Sequence, residues 1–236
     1  MLQKNDLFDY ENRYIYQDGD FFKFSLDSIL LAEYVDLPLD NKNIVDFCSG
    51  NMVVPLILST YTNSKITGFE IQSEIYKLGL KSIKLNKLEK KLAIINDDVR
   101  NIKNYFSKGQ IDTITCNPPY YKISNTNLIN KNKILSIARH EIKINLEEIF
   151  KISSEMLQNK GVLYLVHKCD RLDEIIYYGF MYKLNIKKVT LIKTKQKLEP
   201  SLVLVKGIKN SKPGIKIQNI ICIENLKSYK NIFRKE

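Results

Sequence analysis

From residue 43 onward, short apolar runs alternate with longer amphipathic ones, and this order leaves few folds open to the chain. "NIVDFCS" reads as a buried strand that runs into the helical "NMVVPLILSTY". "KITGFEI" and "SEIYKLGLKSIKLNKL" repeat the unit, with Ser73 as a candidate N-cap. "KLAIIND" and "IDTITCN" are two further strands, separated by the helix-like "VRNIKNYFSKG", whose Gly109 suits a helix end. A long helix in "LEEIFKISSEMLQNKG", the strand "GVLYLVH" and the helix "RLDEIIYYGFMYKL" follow. The tail segments "NIKKVTLIKTK", "SLVLVKGIK" and "GIKIQNIICIEN" alternate like two or three antiparallel strands. Such a βαβα order predicts an open α/β sheet, mostly parallel, with helices on both faces. Without an internal repeat or a Pro/Gly/Ser-rich linker, residues 1–236 are expected to form one domain. Its parts would be a short N-terminal cap (1–40), a ligand-binding core (41–182) and basic C-terminal strands (183–236).

Composition narrows the setting. No apolar run approaches the roughly 20 residues that span a bilayer, and "MLQKNDLFDYENRY" lacks the apolar core of a signal peptide. Cys48, Cys116, Cys169 and Cys222 form no CxxC pair, and the chain holds two histidines. A cytoplasmic protein without a metal, a membrane or a stable protein partner is the expectation. The formal charge of +11 is segregated: from residue 183 on, 14 Lys and Arg face only Glu199, Glu224 and Glu236. A one-sided field of that kind suits a polyanion, whose phosphates release counterions to clustered lysines.

In an open α/β sheet the ligand crevice lies beyond the carboxyl ends of the strands. Asp46 and Glu70 end the first two core strands; Asp46 is expected to anchor a cofactor, and Glu70 is placed to accept ribose hydroxyls. Asp98, with Val99 beside it, follows the third strand as an acceptor for an adenine amine. The first loop, "CSGN", keeps Ser49 and the single glycine Gly50, far from the G-x-G-x-x-G that a pyrophosphate needs. S-adenosylmethionine carries no phosphate and needs fewer glycines, so the depleted loop favours that cofactor. Met52 stands where a glycine would be expected, and its side chain is predicted to point into the helix–sheet interface.

The fourth strand ends in Asn117-Pro118-Pro119-Tyr120. An adenine amine is a poor nucleophile because its lone pair is delocalised into the ring. The Asn117 side-chain oxygen and a proline carbonyl can accept its two N–H groups and aim the lone pair at a methyl donor. Tyr120 offers a face on which an extruded base can stack. The polar stretch 120–133 that follows is expected to be functional or mobile.

This tetrapeptide resembles the fourth motif of the amino-group methyltransferases with a Rossmann-like fold, a seven-stranded sheet with one antiparallel strand. With "FKFSLDSILLAEYV", "ARHE" and "GVLYLVHKCDRLDEI", the chain resembles the bacterial adenine-N6 methyltransferases of valine tRNA, over nearly its whole length. The resemblance implies S-adenosylmethionine as cofactor and, as target, the purine 3′ of the anticodon, adenine 37. It also implies that Phe24, Ser25 and Asp27 close the cofactor pocket near its methionine end, with Asn117 touching both ligands. Arg139 and His140 would contact RNA, and so would His167 with Lys168 and Arg171, although a satisfied strand-end histidine also fits position 167. Lys187, Lys188, Lys193, Lys195 and Lys197 would follow tRNA phosphates. Three rival readings remain open from the residues: a ribosomal-RNA or DNA adenine methyltransferase, a protein-glutamine methyltransferase, or a non-catalytic RNA-binding relative.

Overall fold

The apolar runs form the middle of a sheet covered on both faces, which is why they are apolar throughout rather than alternating. In β3 (Asn43–Phe47) every residue after Asn43 is buried, and in β6 (Ile111–Cys116) all but Asp112 are. The computed structural model describes residues 2–7, 10, 12–18, 26–37, 43–120, 144–194, 199–223 and 229–233. A hairpin of β1 (Leu2–Asp6) and β2 (Tyr14–Asp18) precedes α1 (Leu26–Tyr34), and then the sheet begins. Its elements are β3, α2 (Val53–Leu58), β4 (Lys65–Phe69), α3 (Ser73–Leu85), β5 (Leu92–Ile95), β6 and α4 (Leu146–Met156). There follow β7 (Leu157–Lys168), α5 (Leu172–Met181), β8 (Leu184–Lys193), β9 (Leu202–Lys209), and the two-residue strands β10 (Lys216–Ile217) and β11 (Ile221–Cys222).

The strand order is β10-β8-β9-β7-β6-β3-β4-β5, with β11 also on β8. Strands β3 to β7 run parallel, and β9 lies antiparallel between β7 and β8. The chain leaves β3 towards β5 and returns to β6 on the other side, so the order reverses there and a crevice opens beyond β3 and β6. One face of the sheet packs on α1 and α2 through Ile29, Leu30, Leu56 and Ile57. The other packs on α4 and α5 through Ile149, Phe150 and Ile175.

Several local expectations are corrected. Ser73 is the first helical residue rather than the cap: Gln72 occupies the cap position, and the Ser73 hydroxyl donates to Asn96 Oδ1 instead. "VRNIKNYFSKG" forms only a 3-10 turn over Val99–Asn104, capped by the Asp98 side chain. The helix expected to reach Gly161 stops at Met156, because β7 starts at once and bulges between its pairings with Ile111 and Thr113. In the tail, β8 and β9 are antiparallel as expected, but β10 and β11 pair with β8 in parallel.

Two polar clusters tie the N-terminal segment to this frame. Asn86, just past α3, accepts Tyr14 N–H at 2.9 Å and donates to the Tyr14 carbonyl at 2.7 Å, which docks the hairpin on α3. The buried carboxylate of Glu33 accepts the hydroxyls of Tyr10 and Tyr61, at 2.5 and 2.6 Å, and the Asn231 N–H at 2.7 Å. Burial of a carboxylate is tolerated when its oxygens are satisfied in this way.

Candidate active site

Three residues with positive φ bend the chain between β3 and α2: Cys48 (55°), Gly50 (57°) and Met52 (76°). The loop is fastened to β4 by Ser49 N–H on the Phe69 carbonyl, 2.9 Å, and by Gly50 N–H on Glu70 Oε2, 3.0 Å. A side-chain carbon at Gly50 would meet no atom within 4 Å. The glycine therefore serves the left-handed turn and leaves open space beside the backbone. Met52 is fully buried and points away from that space, over Gly68 and Gly79, as the sequence predicted.

The open space is a cleft of about 800 Å³ lined by the loop, the ends of β4 and β6, and the turn after β5. Of the residues expected to bind a cofactor, Ser49, Gly50, Glu70, Asp98, Val99 and Asn117 all line it. Phe69, Val53, Ile71 and Ile75 give it apolar walls. A purine between apolar walls, ribose hydroxyls at a carboxylate and a backbone approach at one glycine all suit this lining. S-adenosylmethionine thus fits the residues present.

Each acid does a different job. Glu70 accepts Gly50 N–H and Gln72 N–H (2.8 Å), yet burial pushes its carboxyl up to about 7. Asp46 is not in the cleft wall: its Oδ1 accepts the Thr115 hydroxyl at 2.5 Å, bracing β3 against β6 beneath the loop. Burial raises Asp46 to about 7, opposed by Thr115 and Ser49 and reinforced by the Glu70 charge. Asp98 caps the turn that follows it and grips the Arg100 guanidinium. Its burial would raise the carboxyl, but Arg100 holds it below the usual range. Asp97, which sequence reasoning passed over, also lines the cleft and accepts Asn101 and Tyr105 side chains.

Asn117 lies where β6 ends, at the cleft wall, and Pro118 behind it is buried. Asn117 Nδ2 donates to Ser28 Oγ at 2.8 Å, and its Oδ1 accepts from the Tyr120 hydroxyl. Tyr120 is also bonded to Asp27 Oδ2, 2.8 Å away. The first turn of α1 therefore grips both ends of the tetrapeptide. Asp27, expected at the methionine end of a cofactor, instead meets Tyr120 and does not line the cleft. Its carboxyl is raised by burial, against the pull of Tyr120 and Lys168. Ser28 was missed from sequence because a serine inside an apolar helix carries no signal of its own.

The Lys168 ammonium lies 5.4 Å from the Tyr120 ring centroid, and the His167 ring meets Tyr120 edge-on at 5.2 Å. His167 and Arg171, expected among the RNA contacts, are buried. His167 is fully enclosed, accepts Lys168 N–H on Nδ1 and is pushed down to about 3 by burial and then by Arg171. It is a neutral, buried strand-end histidine. The Arg171 guanidinium is held by both oxygens of Glu174, at 2.7 and 2.8 Å. Lys187 donates to the carbonyls of Lys212 and Pro213, and Lys193 ends β8 beside Cys222. Phe24, Ser25, Arg139, His140, Lys195, Lys197 and the stretch 121–133 lie outside the described residues. Among the described residues, no helix is long and apolar enough to cross a membrane, and no group of three or more His, Cys, Asp or Glu could hold a metal ion.

A family model described as the methyltransferase small domain matches residues 17–197. Over 85% of this chain and 83% of its own length, a tRNA1(Val) (adenine(37)-N6)-methyltransferase of Phocaeicola vulgatus is 23% identical. A protein of the same name from Porphyromonas gingivalis is 24% identical over 84% of this chain and 79% of its own length. Among solved structures, a predicted O-methyltransferase from Agrobacterium tumefaciens superposes with a TM-score of 0.65 at 16% identity, covering 87% of this chain and 91% of its own.

Proposed function

Because the chain belongs to the methyltransferase small domain family, we propose that it methylates N6 of an adenine in tRNA, with residues 1–236 acting as one unit. The names of the relatives supply the finer reading, adenine 37 of a valine tRNA. One observation carries the amine chemistry: Asn117, pinned by Ser28 and Tyr120, stands in the wall of the cleft that Gly50 and Glu70 line. The same reading places the protein in the cytoplasm.

S-adenosylmethionine supplies an electrophilic methyl group. Glu70 and the Gly50 backbone orient its ribose and amino-acid ends, and Asp98 with Val99 receives the adenine. At the other wall, Asn117 Oδ1 and the Pro118 carbonyl accept the two N–H groups of the target amine and direct its lone pair along the transfer axis. Two consecutive prolines keep those acceptors from turning away. Tyr120 stacks on the extruded base and, with Lys168 over its ring, excludes water from that side. Once the nitrogen gains its fourth bond its proton is acidic enough to pass to solvent water, so the side chains need not include a strong base.

Labelled methyl transfer into bulk tRNA from cells lacking this activity, followed by mapping of the modified nucleotide, tests the reading. Asn117→Ala is expected to abolish transfer and leave cofactor affinity within a few-fold. Equal loss of both would mean that Asn117 serves the cofactor rather than the amine. Label appearing only in ribosomal RNA, DNA or protein would overturn the tRNA assignment.

A further inference from the structure

The C-terminal strands carry a row of three lysines that no expectation singled out as a unit. Lys206 on β9 is registered directly opposite Lys188 on β8, and Lys188 opposite Lys216 on β10. On the other side of Lys206 stands Tyr164 of β7. Residues directly opposite in neighbouring strands project from the same face, so the three ammonium groups share one face across about 10 Å. The row continues through Thr115 and Asp46, which places it level with the end of β3 beside the cleft.

Like charges placed directly opposite in a sheet destabilise it. Here they are accommodated mainly by aromatic rings. Lys188 Nζ lies 4.7 Å from the Tyr34 ring centroid, and Lys206 Nζ lies 5.5 Å from that of Tyr164. The carboxylate that reaches the row is Asp36, 3.7 Å from Lys206 and 82% exposed. Burial lowers the pKa of Lys188, as do Lys206 and Lys216, while Asp36 opposes them. Packing alone gives no reason to assemble three such charges; an anion laid across them does.

The row lies on the same face of the sheet as Lys168 at the proposed catalytic site. Tyr164 and Lys168 lie four residues apart on β7, hence on one face and about 13 Å apart. Lys168 holds its ammonium over Tyr120. The row and Lys168 are thus two positive patches related by one strand, with the buried Tyr164 and Val166 between them. We propose that Lys188, Lys206 and Lys216 bind consecutive phosphates of the RNA strand flanking the target base. This rests on the tRNA reading above and names the surface that would hold the strand.

The test uses the full chain with Lys188→Gln, Lys206→Gln and Lys216→Gln combined, and an unmodified tRNA transcript as probe. A control variant removes the same charge from the exposed face of α3, with Lys77→Gln, Lys81→Gln and Lys84→Gln. The row variant should bind tRNA at least about tenfold more weakly, with a salt dependence shallower by about three phosphate contacts. Its cofactor affinity and its kcat at saturating tRNA should be unchanged, and its Tm equal or higher because a like-charge cluster is gone. The α3 variant should bind tRNA within about twofold of wild type. Unchanged tRNA affinity in the row variant, or equal weakening in both variants, overturns the proposal while wild-type methylation of tRNA still stands. A wild-type chain that neither binds nor methylates tRNA overturns the substrate reading, and the row with it.

Discussion

The hydroxyl of Tyr120 lies 2.8 Å from Asp27 Oδ2, which ties the last residue of the Asn-Pro-Pro-Tyr segment to the first turn of α1. The same hydroxyl donates to Asn117 Oδ1, the acceptor that a target amine would claim. When the amine takes that oxygen, Asp27 remains as the hydroxyl's partner and the ring keeps its plane. Asp27 is therefore a positioning residue for the tetrapeptide.

Asp27→Asn should leave cofactor affinity within a few-fold and lower kcat by about 10- to 100-fold, the value of one hydrogen bond to a charged group. Steady-state kinetics with tRNA and calorimetry with the cofactor separate the two effects. Weaker cofactor binding with kcat preserved would return Asp27 to the pocket role expected from sequence.

A second prediction concerns Met52. A side-chain carbon at Gly68 would lie 2.6 Å from Met52 Sδ and 2.3 Å from Ser49 Oγ, and one at Gly79 would lie 3.1 Å from Met52 Cγ. The two glycines make the room that Met52 fills, although φ of 76° costs a non-glycine residue about 1–2 kcal/mol. Replacing a buried Met with Ala forfeits about 2–5 kcal/mol. Met52→Gly should thus lower stability by a net of up to roughly 4 kcal/mol in denaturant titration. Cofactor affinity should stay within about threefold, because the side chain does not line the cleft. A gain above about tenfold, roughly 1.4 kcal/mol, would show that methionine distorts the loop.

These particulars explain how far the sequence could be read. The alternation of elements and the acids at strand ends were visible because burial on both faces and the crevice at the strand termini impose local patterns. The pairing of Asp27 and Ser28 with a segment some 90 residues away was not, since it depends on how α1 crosses the sheet. For His167 the sequence left two readings open, an RNA contact or a strand-end histidine, since a histidine flanked by Lys168 and followed by Arg171 also reads as basic surface. Only the position of β9 and α5 makes it core. The lysine row needed the register of β8, β9 and β10, and positions 188, 206 and 216 carry no common spacing.

The last prediction follows from Glu70 and Asp46, both raised by burial to about 7. The unfolded chain has its carboxyl groups near 4. A carboxylate raised on folding contributes stability that is fully present below the unfolded value and is lost as pH rises through the folded one. The ligand-free protein should therefore lose thermal stability between about pH 4 and 7, with the loss complete by about pH 8. His167, held down to about 3, works the other way up to the unfolded histidine value near 6.5, so it offsets one of the two carboxylates there and leaves a smaller net loss. Cofactor binding should reverse the dependence. Ribose hydroxyls donating to Glu70 favour its ionised form, so binding releases a proton and strengthens by about three- to tenfold from pH 6 to 8. Calorimetry in two buffers of different ionisation heat measures that proton directly. Glu70→Gln should weaken binding and flatten the profile. Affinity independent of pH in the wild type, with no proton released, would mean that Glu70 braces Gly50 without meeting the ribose.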